Sequence, residues 1–222
     1  EFSRACAALT AKRKQGAARL EHAVNALLPA LGLAGGLAVR LQPRATPHAY
    51  GAEDVSFEVA LNVGMEARPL AKVASGGELS RLMLALKVVL AEHDAVPTLV
   101  FDEVDQGIGG EVGVRVGAAL AAVGRGARGG RQALVSTHLP QIAAYADHHL
   151  AVAKGSKGGI ATSDVHVATG PGRARELARM LGDPDMATAL RHAAELLKKA
   201  SETSGPQAGI PQRPASRPRP LQ

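Results

Sequence analysis

Thr98-Leu99-Val100-Phe101-Asp102-Glu103 is the stretch on which the fold turns. A short apolar run ending in two acids, with Pro97 just before it, reads as a strand buried on both faces, its carboxylates at the carboxyl edge. Ala133-Leu134-Val135-Ser136 repeats the pattern, and a helix over about 111–123 separates the two, broken by the glycines from Gly124 to Gly130. Strand, helix, strand with both strands apolar predicts an α/β fold with a mostly parallel sheet and crossover helices.

Upstream, Leu79, Leu82, Met83, Leu86, Val89 and Leu90 form one helical stripe from Gly76 to about Ala91. Before it, Leu37, Val39 and Leu41, then Val55, Phe57, Val59, Leu61 and Val63, alternate with mostly polar or small residues. Period two predicts two half-buried strands forming a small antiparallel pair, and Pro43, Pro47 and Gly51 place a loop between them. Residues 3–28 lack proline and read as a helix. A spacing of four and three picks out Phe2, Cys6, Leu9, Arg13, Gly16, Leu20, Ala23 and Leu27, six of the eight apolar. Two readings stand for that stripe: the stub of a coiled coil, or an amphipathic helix lying on the domain. Downstream, a strand at Leu150 to Ala153, a possible edge strand at 160–167 and helices near 173–181 and 185–200 complete the ordered part. The tail from Gly205 has five prolines in 18 residues and is expected to be loose.

The chain opens on Glu1-Phe2 rather than Met and is expected to be a piece of something longer. Its 222 residues are 46% hydrophobic, 21% charged and 2% aromatic, a globular composition. No apolar run is long enough for a membrane span, and the first 30 residues lack the basic start and apolar block of a secretory signal. A single cysteine excludes an internal disulfide framework and fits a reducing compartment. The net charge of +6 lies at the ends: residues 1–20 hold five bases and one acid, residues 205–222 hold three Arg and no acid, and 21–204 hold 18 bases and 19 acids. Lys12, Arg13, Lys14 and Arg19, or Arg213, Arg217 and Arg219, could meet nucleic-acid phosphate. With no aromatic interleaved, such contact would be nonspecific and salt-sensitive. A solvated helix face and a solubilising tail explain the same charges.

Three segments carry possible chemistry. Ser75-Gly76-Gly77-Glu78 opens a helix, where free N–H groups and the helix dipole favour an anion such as phosphate. The same residues also form a capping box, which satisfies those N–H groups with no ligand. Asp102-Glu103 offers one acid for Mg²⁺ and a second to orient and deprotonate water, or else a polar strand end. His138, at the end of the second strand in Ser136-Thr137-His138, is expected near Glu103, where it could contact a phosphate or a water. A lone strand-end His is often structural. His148-His149 lacks matching metal-ligand spacing. Gly107 through Gly113 has the wrong spacing for G-x-G-x-x-G, and no G-x-S-x-G and no Gly-Lys dipeptide occurs, so the sequence has no phosphate-cradling P-loop.

The order of these segments is more specific than any one of them. A Ser-Gly-Gly-Glu helix start, a strand ending in Asp-Glu about 25 residues on, Asp105, and then a strand ending in His resembles the C-terminal half of an ABC-type ATPase head of the SMC-like branch. Lys72 through Arg81, Phe101 through Gly110, Ser136 through Ala143 and Glu176 through Gly182 look like the RecN family of bacterial DNA-repair ATPases. The resemblance covers roughly residues 1–200. It implies that Ser75, Gly76, Gly77 and Glu78 form the signature that clamps ATP held by a partner subunit. Asp102 would be the Walker B acid on Mg²⁺, Glu103 the catalytic carboxylate, Asp105 the D-loop residue communicating across the dimer, and His138 the switch histidine. Residues 1–30 would be the end of a coiled-coil arm, 31–204 the C-terminal lobe of the head and 205–222 a flexible tail. The implied partners are the N-terminal P-loop half of the same head, a second head in a homodimer, and DNA, bound nonspecifically. The implied place is the bacterial cytoplasm, at the nucleoid, with no membrane. ABC transporters usually have Leu where Ala74 stands. Asp102-Glu103-Val104-Asp105 also resembles a helicase DExD box, but a helicase gives no reason for Ser75–Glu78. A non-catalytic dimerisation or DNA-tethering scaffold is the remaining alternative, and this segment alone is expected to be inactive.

Overall fold

The structure, a computed structural model, describes residues 1–60, 62, 64–72, 76–91, 96–125, 131–157 and 160–203. Ser75, the loop glycines at 126 and 129–130, and the whole 205–222 tail with its three arginines fall outside them.

Helix α1 (Phe2–Leu27) leads through a 3-10 turn at Leu28–Leu31 into strand β1 (Gly36–His48). Strand β2 (Gly51–Ala60) returns antiparallel, and the two-residue β3 (Arg68–Pro69) pairs on its far side, giving the order β1-β2-β3. The loop expected from Pro43 to Gly51 is instead mostly strand. Leu37 spends both backbone groups on the side chain of Asn25, accepting at 3.0 Å and donating at 2.7 Å, so it faces away from β2. By alternation Val39, Leu41 and Pro43 face the same outer edge. The N–H that Pro43 lacks is therefore not needed in the ladder, and the register shifts between Pro43 and His48, a place where strands tolerate proline.

The apolar stripe of α1 is taken up by this hairpin and the core below it. Within the stripe Cys6 is buried and the rest except Phe2 are half-buried; Val24, next to it, is buried, and Glu21 accepts from the Val39 N–H at 2.6 Å. Arg13 pairs with the buried Glu53 at 3.2 Å and donates to the Tyr50 carbonyl at 2.6 Å, while the Thr10 hydroxyl donates to the same carboxylate. On β2 only Val59 is buried among the alternating residues, whereas Val55 and Phe57 stay exposed. Leu61 and Val63 lie outside the described residues.

Helix α2 (Gly76–Val89), strand β4 (Thr98–Phe101), helix α3 (Gly110–Arg125) and strand β5 (Gln132–Val135) follow, and β4 pairs with β5 in parallel as the strand–helix–strand pattern predicts. The main core joins α1 to this unit through Val24, Leu28, Leu37, Leu82, Phe101 and Val116. On α2 the buried arc is Arg81, Leu82, Leu84, Ala85 and Leu86, turned from the expected stripe so that Met83 and Leu90 point outward. Burial of β4 on both faces is also corrected. Leu99 and Phe101 are buried, but Val100 is 73% exposed and Leu134 on β5 is 46% exposed, because the chain's own helices cover one face of the pair.

The short helix α4 (Pro140–Ala143) leads to β6 (His149–Lys157) and β7 (Ile160–Ala168), an antiparallel pair. The parallel part of the fold is thus a single strand pair among the described residues, flanked by antiparallel ones. Leu150 and Val152 on β6 face Val167 and Val165 on β7, and all four are exposed. Helices α5 (Gly170–Met180) and α6 (Ala187–Thr203) pack with α4 in a second cluster around Tyr145, Leu177 and Leu196. Arg173 on α5 donates to the Ala144 and Ala146 carbonyls at 3.0 and 2.6 Å, a cationic cap on the end of α4. No helix among the described residues is long and apolar enough to cross a membrane.

Candidate functional site

The residues that follow the parallel strands form one cluster. Asp102 ends β4 with its carboxylate exposed, and one oxygen accepts from the Glu103 N–H at 3.1 Å and from the Ser136 hydroxyl at the end of β5. The Ser80 hydroxyl on α2 donates to the Asp102 carbonyl at 2.8 Å. Glu103 has φ 55°, the one positive φ outside glycine among the described residues. A non-glycine residue held there costs on the order of 1–3 kcal/mol, a strain that persists only when the surroundings impose it.

Asp105 is buried; a single carboxylate oxygen accepts from the Thr137 hydroxyl at 2.6 Å and the His138 backbone N–H at 2.8 Å, and lies 2.9 Å from His138 Nδ1. His138 therefore sits directly on Asp105, two residues beyond Glu103. This contact engages Nδ1 and leaves Nε2, on a side chain 74% exposed, for whatever lies in front of the strand ends.

The amino end of α2 closes the cluster. Gly77 donates its N–H to Gln106 Oε1 at 3.1 Å. A Cβ on Gly76 would stand 2.5 Å from Glu103 Oε2, and one on Gly77 would stand 2.7 Å from Gln106 Cβ and 3.0 Å from its carbonyl oxygen. These glycines let the helix start lie against the 103–106 loop. Glu78 lies in the first turn, where a carboxylate suits the helix dipole. Behind them Arg81, only 3% exposed, donates from Nη1 to the carbonyls of Gln106 at 2.7 Å and Val104 at 3.4 Å. Burial pulls its guanidinium below the ordinary arginine range, and the Glu78 and Asp105 carboxylates oppose that shift.

Of the sequence-derived residues, Asp102, Glu103, Asp105, His138, Gly76, Gly77 and Glu78 thus share one region. Arg81, Ser80, Gln106 and Thr137 belong to it as well. Arg81 lies opposite the expected apolar stripe and reads from sequence as a solvent-facing charge; the other three give no sequence signal of their own. Lys12, Lys14 and Arg19 are exposed on α1, whereas Arg13 is committed to Glu53 and Tyr50.

No group of three His, Cys, Asp or Glu side chains that could hold a metal occurs among the described residues. Mg²⁺ does not need one, since it is typically held by one or two carboxylates together with phosphate oxygens and water. The exposed Asp102 carboxylate, with the Ser136 hydroxyl beside it, fits that mode.

No family model matches the chain. The DNA repair protein RecN of Streptomyces coelicolor is 52% identical over 151 residues, covering 68% of this chain and 26% of that protein. RecN of Deinococcus radiodurans is 44% identical over 191 residues, 86% of this chain and 33% of that protein. The chain belongs to the RecN family. RecN of Mycobacterium bovis extends the match to 90% of the chain at 41% identity, with 37% of that protein covered. The chain thus spans between about a quarter and somewhat over a third of the length of these RecN relatives. A crystal structure of an Smc head domain with a coiled coil and joint from Pyrococcus yayanosii matches 86% of this chain and 30% of its own, with a TM-score of 0.51 at 18% identity. The fold of this RecN-family segment is similar to that of part of the Smc head structure.

Proposed function

We propose that this chain is the C-terminal lobe of an ATPase head that works in DNA double-strand-break repair and recombination. The observation that carries the reading is the convergence of Asp102, Glu103, the Asp105–His138 pair and the amino end of α2 at the ends of the parallel strands. ATP is the substrate and Mg²⁺ the metal. Asp102 would hold the metal, which supplies charge neutralisation for the phosphates. Glu103 would orient water and accept its proton, and Nε2 of His138 would face the terminal phosphate, its ring set by Asp105. The amino end of α2, including Ser75, Gly76, Gly77 and Glu78, would clamp ATP held by a second head, through N–H groups and the helix dipole. In this reading Asp105 serves its own subunit's histidine in addition to any contact across the dimer.

The phosphate cradle would come from the N-terminal P-loop half of the head. Its chemistry fits the two open apolar faces, Val100 with Leu134 and Leu150, Val152, Val165 and Val167, which a second lobe would cover. Residues 1–30 would be the root of a coiled-coil arm and 31–204 the lobe itself. Lys12, Lys14 and Arg19 would meet DNA phosphate at that root, without sequence preference. Binding of ATP would bring two heads together, and hydrolysis would release them.

The test is Glu103→Gln in the full-length protein. Loss of a general base should lower ATP turnover about 10²-fold or more. Turnover within about twofold of wild type would refute the role. The 222-residue chain by itself should not hydrolyse ATP.

A further inference from the structure

Arg81 is buried among Leu82, Leu84 and Ala85, where a methionine of similar length would avoid the cost of removing a charge from water. Its Nε has no partner, so the guanidinium is not held by a dense network of its own. What it does hold is backbone: Nη1 reaches the carbonyls of Val104 and Gln106, the two residues flanking Asp105. Asp105 in turn holds Thr137 and the His138 ring and N–H. Gly77 and Ser80, on the same helix, add bonds to Gln106 and to the Asp102 carbonyl. One helix therefore grips the loop that carries Glu103 at one end and positions His138 at the other.

We propose that Arg81 is a positioning residue for hydrolysis: by clasping the Val104 and Gln106 carbonyls, it fixes the 103–107 loop to α2, so that Glu103 and His138 keep their places relative to the helix start. Arg81 touches neither nucleotide nor metal in this scheme, so its removal acts on turnover and spares ATP affinity. A role in stability alone would lower the amount of folded protein and leave turnover per folded molecule intact.

The inference rests on the ATPase reading, and the experiment separates the two. ATP turnover of the full-length protein is measured per folded molecule, across ATP concentrations, for wild type, R81M, R81K and E103Q. R81M should lose about tenfold or more in turnover, since displacement of a reacting group by about an ångström costs up to about 10²-fold, with half-saturating ATP changed less than about twofold. R81K keeps the charge but lacks the planar fork, and should fall between R81M and wild type. A smaller loss in R81M, or a loss carried by half-saturation with turnover intact, overturns the proposal. Should R81M not fold, R81K decides: a loss of about threefold or more at unchanged half-saturation supports the clasp, and a smaller one overturns it. If E103Q itself turns over ATP like wild type, the ATPase reading fails and Arg81 falls with it. If E103Q is inactive while R81M behaves as wild type, only the Arg81 role is lost.

Discussion

Adding one methyl group at Gly77 and one at Gly76 should have opposite effects on stability. A Cβ at Gly77 meets Gln106 Cβ at 2.7 Å, the Gln106 carbonyl oxygen at 3.0 Å and the Glu103 carbonyl oxygen at 3.1 Å. Two of the three are backbone atoms, and the closest is about 0.7 Å inside the 3.4 Å that begins ordinary contact, so the loop and helix must separate. Overpacking of this kind costs about 1–3 kcal/mol, and stretching the Gly77 N–H bond to Gln106 adds about 1 kcal/mol. The higher helix propensity of Ala returns up to about 1 kcal/mol. G77A should therefore lose about 2 kcal/mol, or roughly 4–8 °C in Tm for a chain of this size. At Gly76 the near atom is Glu103 Oε2, the far end of a side chain that can rotate away. G76A should keep or slightly raise Tm. In the full-length protein it should still lower ATP turnover, because the displaced carboxylate is the one assigned to the water. Thermal unfolding of the chain followed by circular dichroism measures the first pair of values. A Tm for G77A at or above wild type, or one for G76A below that of G77A, would refute the packing of α2 on the 103–106 loop.

Asp105→Ala leaves the His138 N–H and the Thr137 hydroxyl without their buried acceptor and should cost about 1–3 kcal/mol in urea unfolding, with Asp105→Asn costing less because an amide oxygen still accepts. Nitrogen chemical shifts of His138 should show the Nδ1–H tautomer in wild type and its loss in D105A. Burial first, then Arg173, holds the buried His149 below the ordinary histidine value of 6.5, with Arg179 and His166 adding to the shift and Glu176 opposing it. The unfolded chain then takes up a proton before the folded one as pH falls. The contribution of His149 to stability is complete above pH 6.5 and is lost as pH drops through the lower folded value. Urea midpoints at pH 7.5 and pH 5 should differ less in H149Q than in wild type, and an equal difference would exclude His149 as a source.

Helices α2, α3, α5 and α6 and strands β4 and β5 lie within a few residues of where the apolar periodicities put them, because each is decided by its own short-range pattern. What failed depends on neighbours distant in sequence. Pro43 and Pro47 read as loop residues until Asn25, on another element, shows which edge of β1 needs no ladder bond. Val100 reads as core because periodicity records that a residue is apolar and not whether this segment supplies its cover. The site residues were legible as an ordered set of motifs, but the contact of His138 with Asp105 lies beyond the turn made by Glu103 at φ 55°, which no spacing rule contains. Arg81 was missed, because it lies opposite the expected stripe, and its meaning lies in carbonyls that belong to every residue alike.

The contacts of Glu21 and Asn25 with the outer edge of β1 make α1 stand in for a missing strand. A helix that tilts or slides away from that position uncovers bare N–H and C=O groups at Leu37 and Val39, the kind of edge that recruits a strand from another molecule. The position of α1 is thus guarded twice: any displacement must first break bonds to a sheet, and the surface it uncovers is prone to aggregate.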